Sequence, residues 1–284
     1  MKTALFICSL LLALCSPLSA GSFFRLQQGV VASQGVVPPE PIEWGPPTAN
    51  LVYWLSARQE TAFSDGDSVE TPTDWSGAGN APTQATSSRR PTYETNVVNG
   101  LPVFRFDGVD DRFDFSGAAL DMAKNQSGLT VYVVVIPATT TGGQRNMVSI
   151  SSGISTTQQR ALVALAASGT TLVGGRRLDT DGFANPTGSL THTGGTAWVV
   201  TTVFDWANSD LLTWRNTTGD LNYTTFQTNG STSNTSSLAA TIGSNSAGSF
   251  IFTGDIAEIL IYQESHDSTE RADIQSGLMT IYGL

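Results

Sequence analysis

Gly254-Asp255-Ile256-Ala257-Glu258-Ile259-Leu260-Ile261-Tyr262 is a run in which apolar residues fall on both alternating sets of positions. A strand with one wet face would alternate cleanly, so this pattern reads as a strand buried on both sides. Outward from it, the same kind of short run recurs at Leu51–Leu55, Val103–Phe106, Leu129–Ile136, Met147–Ile150, Ala161–Ala166, Trp198–Phe204 and Leu211–Trp214. Gly, Asn, Asp, Ser and Thr separate these runs, and many short strands with polar turns make an all-β sandwich or barrel. Nothing alternates with long helical patterns, which sets aside a parallel α/β sheet and its nucleotide crevice. The C-terminus differs. Asp267 followed by Glu270 forms a capping-box start, and Ile274, Leu278 and Ile281 or Tyr282 fall at helical spacing. A short C-terminal helix is expected, covering one edge or end of the sandwich.

The chain of 284 residues is 40% hydrophobic, enough to bury a sizeable core. Met1–Ala20 carries one charge, Lys2, then an apolar run from Ala4 to Cys15 and Pro17 before Leu18-Ser19-Ala20. This is the pattern of a secretory signal peptide, and its apolar run is too short to cross a bilayer. Residues 21–50 hold Pro38, Pro39, Pro41, Pro46 and Pro47 and read as an extended linker or arm, followed by one domain over 51–284. Both cysteines, Cys8 and Cys15, lie in the leader, so the expected mature chain has no thiol for a disulfide or a thiolate metal site. Removing Lys2 leaves 13 basic against 24 acidic side chains, a formal charge of −11, with Lys124 the remaining lysine. An acidic, lysine-poor surface excludes nucleic acid as a partner and gives no attraction to anionic membranes.

Two stretches carry a family resemblance. One runs from Leu51-Val52-Tyr53-Trp54-Leu55-Ser56-Ala57 through Asp74-Trp75-Ser76-Gly77 and Pro91-Thr92-Tyr93 to Gly100-Leu101-Pro102-Val103-Phe104-Arg105-Phe106-Asp107-Gly108-Val109-Asp110-Asp111. The other joins Gly254–Tyr262 to Ser268-Thr269-Glu270-Arg271 and Tyr282-Gly283-Leu284. Together they resemble the laminin-G-like jelly-roll domains of the concanavalin A-like lectin and glucanase superfamily, as found in bacterial secreted proteins and phage virion or tail proteins. The resemblance implies two antiparallel sheets stacked face to face, with a concave face or rim that often binds sugars and sometimes holds calcium. The family's first-strand Trp-Leu-Asp-Ala is Trp54-Leu55-Ser56-Ala57 here, without the acid.

Hydrolytic members of that superfamily carry Glu-x-Asp-x-x-Glu on one strand, and no such triplet occurs in this chain. Asp255 and Glu258 are three apart, which on a regular strand places them on opposite faces, whereas glycosidase chemistry needs two carboxyls that converge. The nucleophile-elbow, zinc-protease and phosphate-loop signatures are also missing. His192 and His266 read as polar surface histidines, and no enzyme activity is expected. Asp107, Asp110 and Asp111 around Gly108 supply the oxygen ligands a hard cation takes, so calcium is the one cofactor to consider. The same residues are also ordinary turn formers. Asp179-Thr180-Asp181-Gly182 makes a second acidic turn, but Leu190 stands where an EF-hand loop needs its bidentate glutamate.

Sugar binding combines an aromatic ring for the C–H face with polar groups for the hydroxyls. The candidates are Asp74 with Trp75, Trp206 with Asn208 at an expected hairpin tip, Trp214 and Tyr223. Of these Trp206 reads as the most exposed, whereas Trp54 and Trp198 lie inside strand-like runs and read as core. The leading expectation is a secreted or surface-mounted recognition module whose partner is a glycan or a surface protein, with an oligomer compatible with the arm. A structural protein of a virion, tail or surface layer is the alternative, and a divergent glycan-active enzyme a third reading.

Overall fold

The computed structural model describes residues 44–139 and 142–284. The expected leader and residues 21–43 of the arm lie outside the described residues. Among the described residues, strands form two antiparallel sheets. The nine-stranded sheet runs β13 (Thr218–Tyr223), β12 (Asp210–Arg215), β11 (Trp198–Asp205), β6 (Gly128–Pro137), β15 (Thr253–Tyr262), β4 (Leu101–Asp107), β3 (Thr92–Val98), β2 (Asp67–Ser68), with β1 (Leu51–Ser56) also on β15. The six-stranded sheet runs β10 (Thr187–Thr191), β9 (Thr170–Gly174), β8 (Gln159–Leu165), β7 (Arg145–Ser151), β14 (Ala239–Ile242), β5 (Phe113–Asp114). The fold is an all-β sandwich, as the sequence predicts.

Strand alternation explains the layers. Val131, Val133 and Val135 of β6 point between the sheets and join Phe104, Phe106, Met147, Val163, Val200 and Ile256 in the main core. Tyr132, Val134 and Ile136 point the other way and join Leu260, Tyr262 and Val199 in a second apolar cluster. That outer cluster is covered by α1 (Ser268–Tyr282), which inserts Ile274, Leu278, Ile281 and Tyr282. The helix therefore lies across the outer face of the nine-stranded sheet, not along an edge or end as expected. Covering the sheet's middle is what allows β6 and β15 to be apolar on both sides.

The helix starts where the sequence places it. Asp267 accepts hydrogen bonds from the backbone N–H groups of Thr269 (2.7 Å) and Glu270 (2.9 Å), and Glu270 Oε2 accepts from Asp267 N (2.9 Å). Gly283, with φ 67°, ends it in the left-handed conformation. Replacing Asp267 with Ala leaves two amides of the first turn without a side-chain acceptor. It is expected to cost about 1 kcal/mol in urea unfolding, and an unchanged midpoint would remove the cap from the list of stabilising contacts. At the other end of the described chain, Trp44 fills the notch left by Gly277. A Cβ on that glycine would lie 2.1 Å from the indole. The Pro47 carbonyl accepts from Tyr262 Oη at 2.9 Å, so the last residues of the arm are part of the folded unit.

One irregularity changes a face assignment. Ile256 pairs with Val135 and Glu258 with Val134, so Ala257 is an extra residue, a β-bulge in β15. The bulge shifts parity by one. Asp255 and Glu258 both end on the outer face, contrary to the expectation from their spacing.

Candidate functional site

On the outer face, where β4 ends and β15 begins, an open groove of about 620 Å³ is lined by Arg90, Thr92, Arg105, Asp107, Asp111 and Asp255, with Ala138, Gly195 and Gly254 among its other walls. Arg105 and Asp255 are directly paired across strands, and the guanidinium grips the carboxylate through two bonds, Nε–Oδ1 at 2.8 Å and Nη2–Oδ2 at 3.1 Å. Glu94 of β3 stands 3.5 Å from Arg105 Nη1 on the other side. Arg90 reaches Glu70 at 2.6 Å. The groove thus presents ion pairs with their outer atoms open, and no aromatic ring apart from the buried Phe106.

The acidic turn after β4 closes one side. Gly108 adopts φ 79°, and a Cβ there would lie 2.6 Å from Thr253 Cβ, so glycine is required on both counts. Asp107 Oδ1 accepts from Val109 N (2.7 Å) and Asp110 N (3.3 Å), while Asp111 Oδ2 accepts from Asp107 N (2.9 Å). These bonds gather ligand oxygens of Asp107, Asp110 and Asp111 within 4.8 Å of one another. Arg89 meets Asp110 at 3.4 Å. Burial pushes the Asp111 carboxyl up to about 6, with the neighbouring charges of Asp107 and Asp110 acting the same way. Three carboxylates with a single paired arginine are under-neutralised, and their oxygens fit a hard cation that would draw its other ligands from water or a bound hydroxyl.

The residues expected to hold a sugar do not converge. Trp206 is fully buried, its ring stacked on Phe204 at 5.6 Å in the main core, which overturns its assignment to the surface. It lies two residues beyond Phe204 and so shares the inward face of that strand's continuation. Its neighbour Asn208 is exposed but donates to Asp205 Oδ2 at 2.8 Å, shaping the hairpin. The Asp74 carboxylate is committed to the backbone amides of Trp54, Ser76 and Asn80, at 3.1, 3.0 and 2.7 Å, and Trp75 is half-buried beside it. Tyr223 leans inward on the main core. Trp214 alone of the set is half-buried on the outer face, with the Arg271 guanidinium 3.7 Å over its ring. Trp54 and Trp198, expected as core, are both partly exposed, and the Trp54 indole donates to Glu258 at 2.6 Å.

Other titratable groups are structural. Both histidines are buried, contrary to the surface reading. His266 Nδ1 bonds Tyr132 Oη at 2.8 Å, and His192 Nε2 bonds Thr171 Oγ1 at 2.9 Å. Asp179 of the second acidic turn is paired with the buried Arg160 at 2.9 Å. Asp255 and Glu258, though on one face, have separate partners, Arg105 for the first and Arg58, Trp54 and Tyr282 for the second. The groove residues Arg90 and Arg105 were not singled out from sequence, and Asp255 was weighed there only against Glu258, because these residues come together only through pairing of distant strands.

No family model and no curated protein matches this chain. Solved structures do. It is similar to Trypanosoma rangeli sialidase, with a TM-score of 0.54 and 13% identity over 83% of this chain and 34% of that one. It is similar to botulinum neurotoxin type C, whose cell entry depends on interaction with two ganglioside molecules. That match has a TM-score of 0.56 and 9% identity over 81% of this chain and 51% of that one. Domain 4 of AbnA, an extracellular arabinanase from Geobacillus stearothermophilus in complex with arabinotriose, gives 0.54 and 14% over 80% and 98%. The chain spans a third to a half of the sialidase and toxin chains but nearly all of the arabinanase domain. At these identities the likeness is one of fold, a β-sandwich shared with carbohydrate-associated proteins. Among the described residues no helix is long and apolar enough to cross a membrane.

Proposed function

We propose that this chain is a non-catalytic recognition module of laminin-G-like jelly-roll type, delivered outside the cell, and that it binds carbohydrate on a cell or virion surface. The observation that carries this reading is the groove between Arg105–Asp255 and the Asp107–Asp111 turn. It offers exposed charge-assisted donors and acceptors on rigid strand ends, as hydroxyl recognition requires. A match spanning nearly the whole of a domain seen with arabinotriose supports it. Asp255 is paired with Arg105, and the groove's other carboxyls, Asp107 and Asp111, accept from backbone amides of their own turn, which supports binding rather than glycosidic cleavage.

Asp107, Asp110 and Asp111 are the residues that would hold calcium, which supplies a Lewis-acid centre for sugar hydroxyls. Calorimetric titration of the full chain with calcium is expected to show binding that Asp107→Asn abolishes. With Asp111 titrating at about 6, protons compete with the ion, and affinity should fall up to about tenfold per unit as pH drops below that value. Glycan-array binding with and without EDTA then tests the ligand. Selective binding lost in Arg105→Ala supports the groove, and a flat array from folded protein in either condition overturns the carbohydrate reading.

A further inference from the structure

A second cleft, of about 400 Å³, opens on the same outer face at the opposite side of α1. Leu212, Trp214, Gly219, Asp220, Leu221 and Asn222 line it, all from β12 and β13. Leu212 lies directly across from Asn222, and Trp214 from Gly219, so the indole and the side-chain amide project from neighbouring pairs of one sheet edge. A Cβ at Gly219 would sit 3.8 Å from Trp214 Nε1, and its lack leaves that edge of the ring open. Among the described residues neither Trp214 Nε1 nor the Asn222 amide has a hydrogen-bond partner. Arg271 holds one face of the indole, leaving a ligand the other face and the Nε1 edge.

The charges around the cleft narrow the ligand. Asp220 is buried, and its Oδ1 accepts from Ser189 N (2.7 Å) and Leu190 N (2.6 Å), stapling β10 to β13. Arg271 is turned to the ring. Arg271 does not line the cleft, Asp220 Oδ1 is taken by two amides of β10 and its Oδ2 is buried, so neither charge is presented to a ligand there. What remains is an apolar wall of Leu212 and indole, one N–H donor and one amide that donates and accepts. That set matches a pyranose ring, whose C–H face stacks on an indole while its hydroxyls need both kinds of partner.

We propose that the Trp214–Asn222 cleft is a second, metal-independent binding site for a neutral hexose unit. It rests on the carbohydrate reading for its class of ligand, but its residues share nothing with the groove. Both sites face outward from one sheet, on either side of α1, so a surface bearing repeated sugars engages the two together and gains avidity.

The test is a titration of the full chain, ¹⁵N-labelled and in EDTA, with the methyl glycosides of glucose, galactose, mannose and N-acetylglucosamine, followed by NMR. At least one glycoside is expected to shift the Trp214 indole N–H signal saturably. Trp214→Ala should abolish binding in this cleft, and Asn222→Ala, an exposed change that leaves the fold alone, should weaken it about tenfold. A Trp214 signal that stays still while the Arg105 and Gly254 amides respond, once calcium is restored, overturns this site and leaves the groove standing. Stillness at both places overturns both readings.

Discussion

Glu258→Ala is expected to be the most damaging single substitution in the domain, lowering stability by about 3–5 kcal/mol. The carboxylate is buried on the outer face of β15 and accepts from Trp54 Nε1 at 2.6 Å, Tyr282 Oη at 2.7 Å and Arg58 Nε at 3.3 Å. Burial pushes its pKa above the ordinary glutamate value, while Arg58 and the three donors pull against that shift. Removing it strands Arg58, whose side chain is 10% exposed, with a charge and no counter-ion. It also orphans the Trp54 indole N–H and leaves the Tyr282 phenol only a long contact, 3.5 Å, with the Ala257 carbonyl. Arg58 in turn holds the Trp44 carbonyl at 2.9 Å, so β1, β15, α1 and the end of the arm meet at this one acid. Glu258→Gln keeps an acceptor for two of the donors and should cost about 1–3 kcal/mol. Urea unfolding of the three proteins, with hydrogen exchange in α1 as a local probe, decides the matter. A loss below about 1 kcal/mol for the alanine variant would mean that the hub does not hold the helix down.

What the sequence discloses here follows from how local each signal is. β6, β11 and β15 are legible because strands buried on both faces need unbroken apolar runs. β13, Thr-Gly-Asp-Leu-Asn-Tyr, is not legible, since an edge strand with few neighbours needs little apolar character. The acidic turn is visible because its three aspartates lie within five residues, and the structure brings their oxygens together as that spacing suggests. The Arg105–Asp255 pair spans 150 residues and depends on β4 and β15 being neighbours, which no local pattern reports. The bulge at Ala257 is equally silent, and it alone decides on which face Glu258 lies. Trp206 is a different kind of miss. Its two-residue spacing from the buried Phe204 carried the inward-facing signal, and the expected hairpin tip obscured it.

Acidification should weaken the fold through His192 in a window that can be stated in advance. Burial, with the Arg215 charge second, lowers its pKa from 6.5 to about 4, against a smaller opposing pull from Asp220. The ring sits between the sheets, bonded to Thr171 and packed against Trp198 with centroids 6.2 Å apart, and Nδ1 has no partner. In the unfolded chain this histidine takes up its proton near pH 6.5, whereas in the folded protein it does so only near 4. Because the folded value is depressed, the unfolded state binds more protons throughout that interval, and stability falls as pH drops from 6.5 toward 4. The full difference amounts to about 3 kcal/mol. His266 is lowered in the same direction, whereas Asp111, raised to about 6, works in the opposite sense, losing stability as pH rises toward that value. Since all three contribute, the diagnostic quantity is the difference between wild type and His192→Phe, measured by urea unfolding across pH 4 to 7. The phenylalanine keeps the ring against Trp198 and leaves Thr171 Oγ1 without its partner, a cost that does not vary with pH. Wild type should therefore lose stability relative to the variant as the pH falls. A constant offset between the two curves would show that His192 is not the group that titrates.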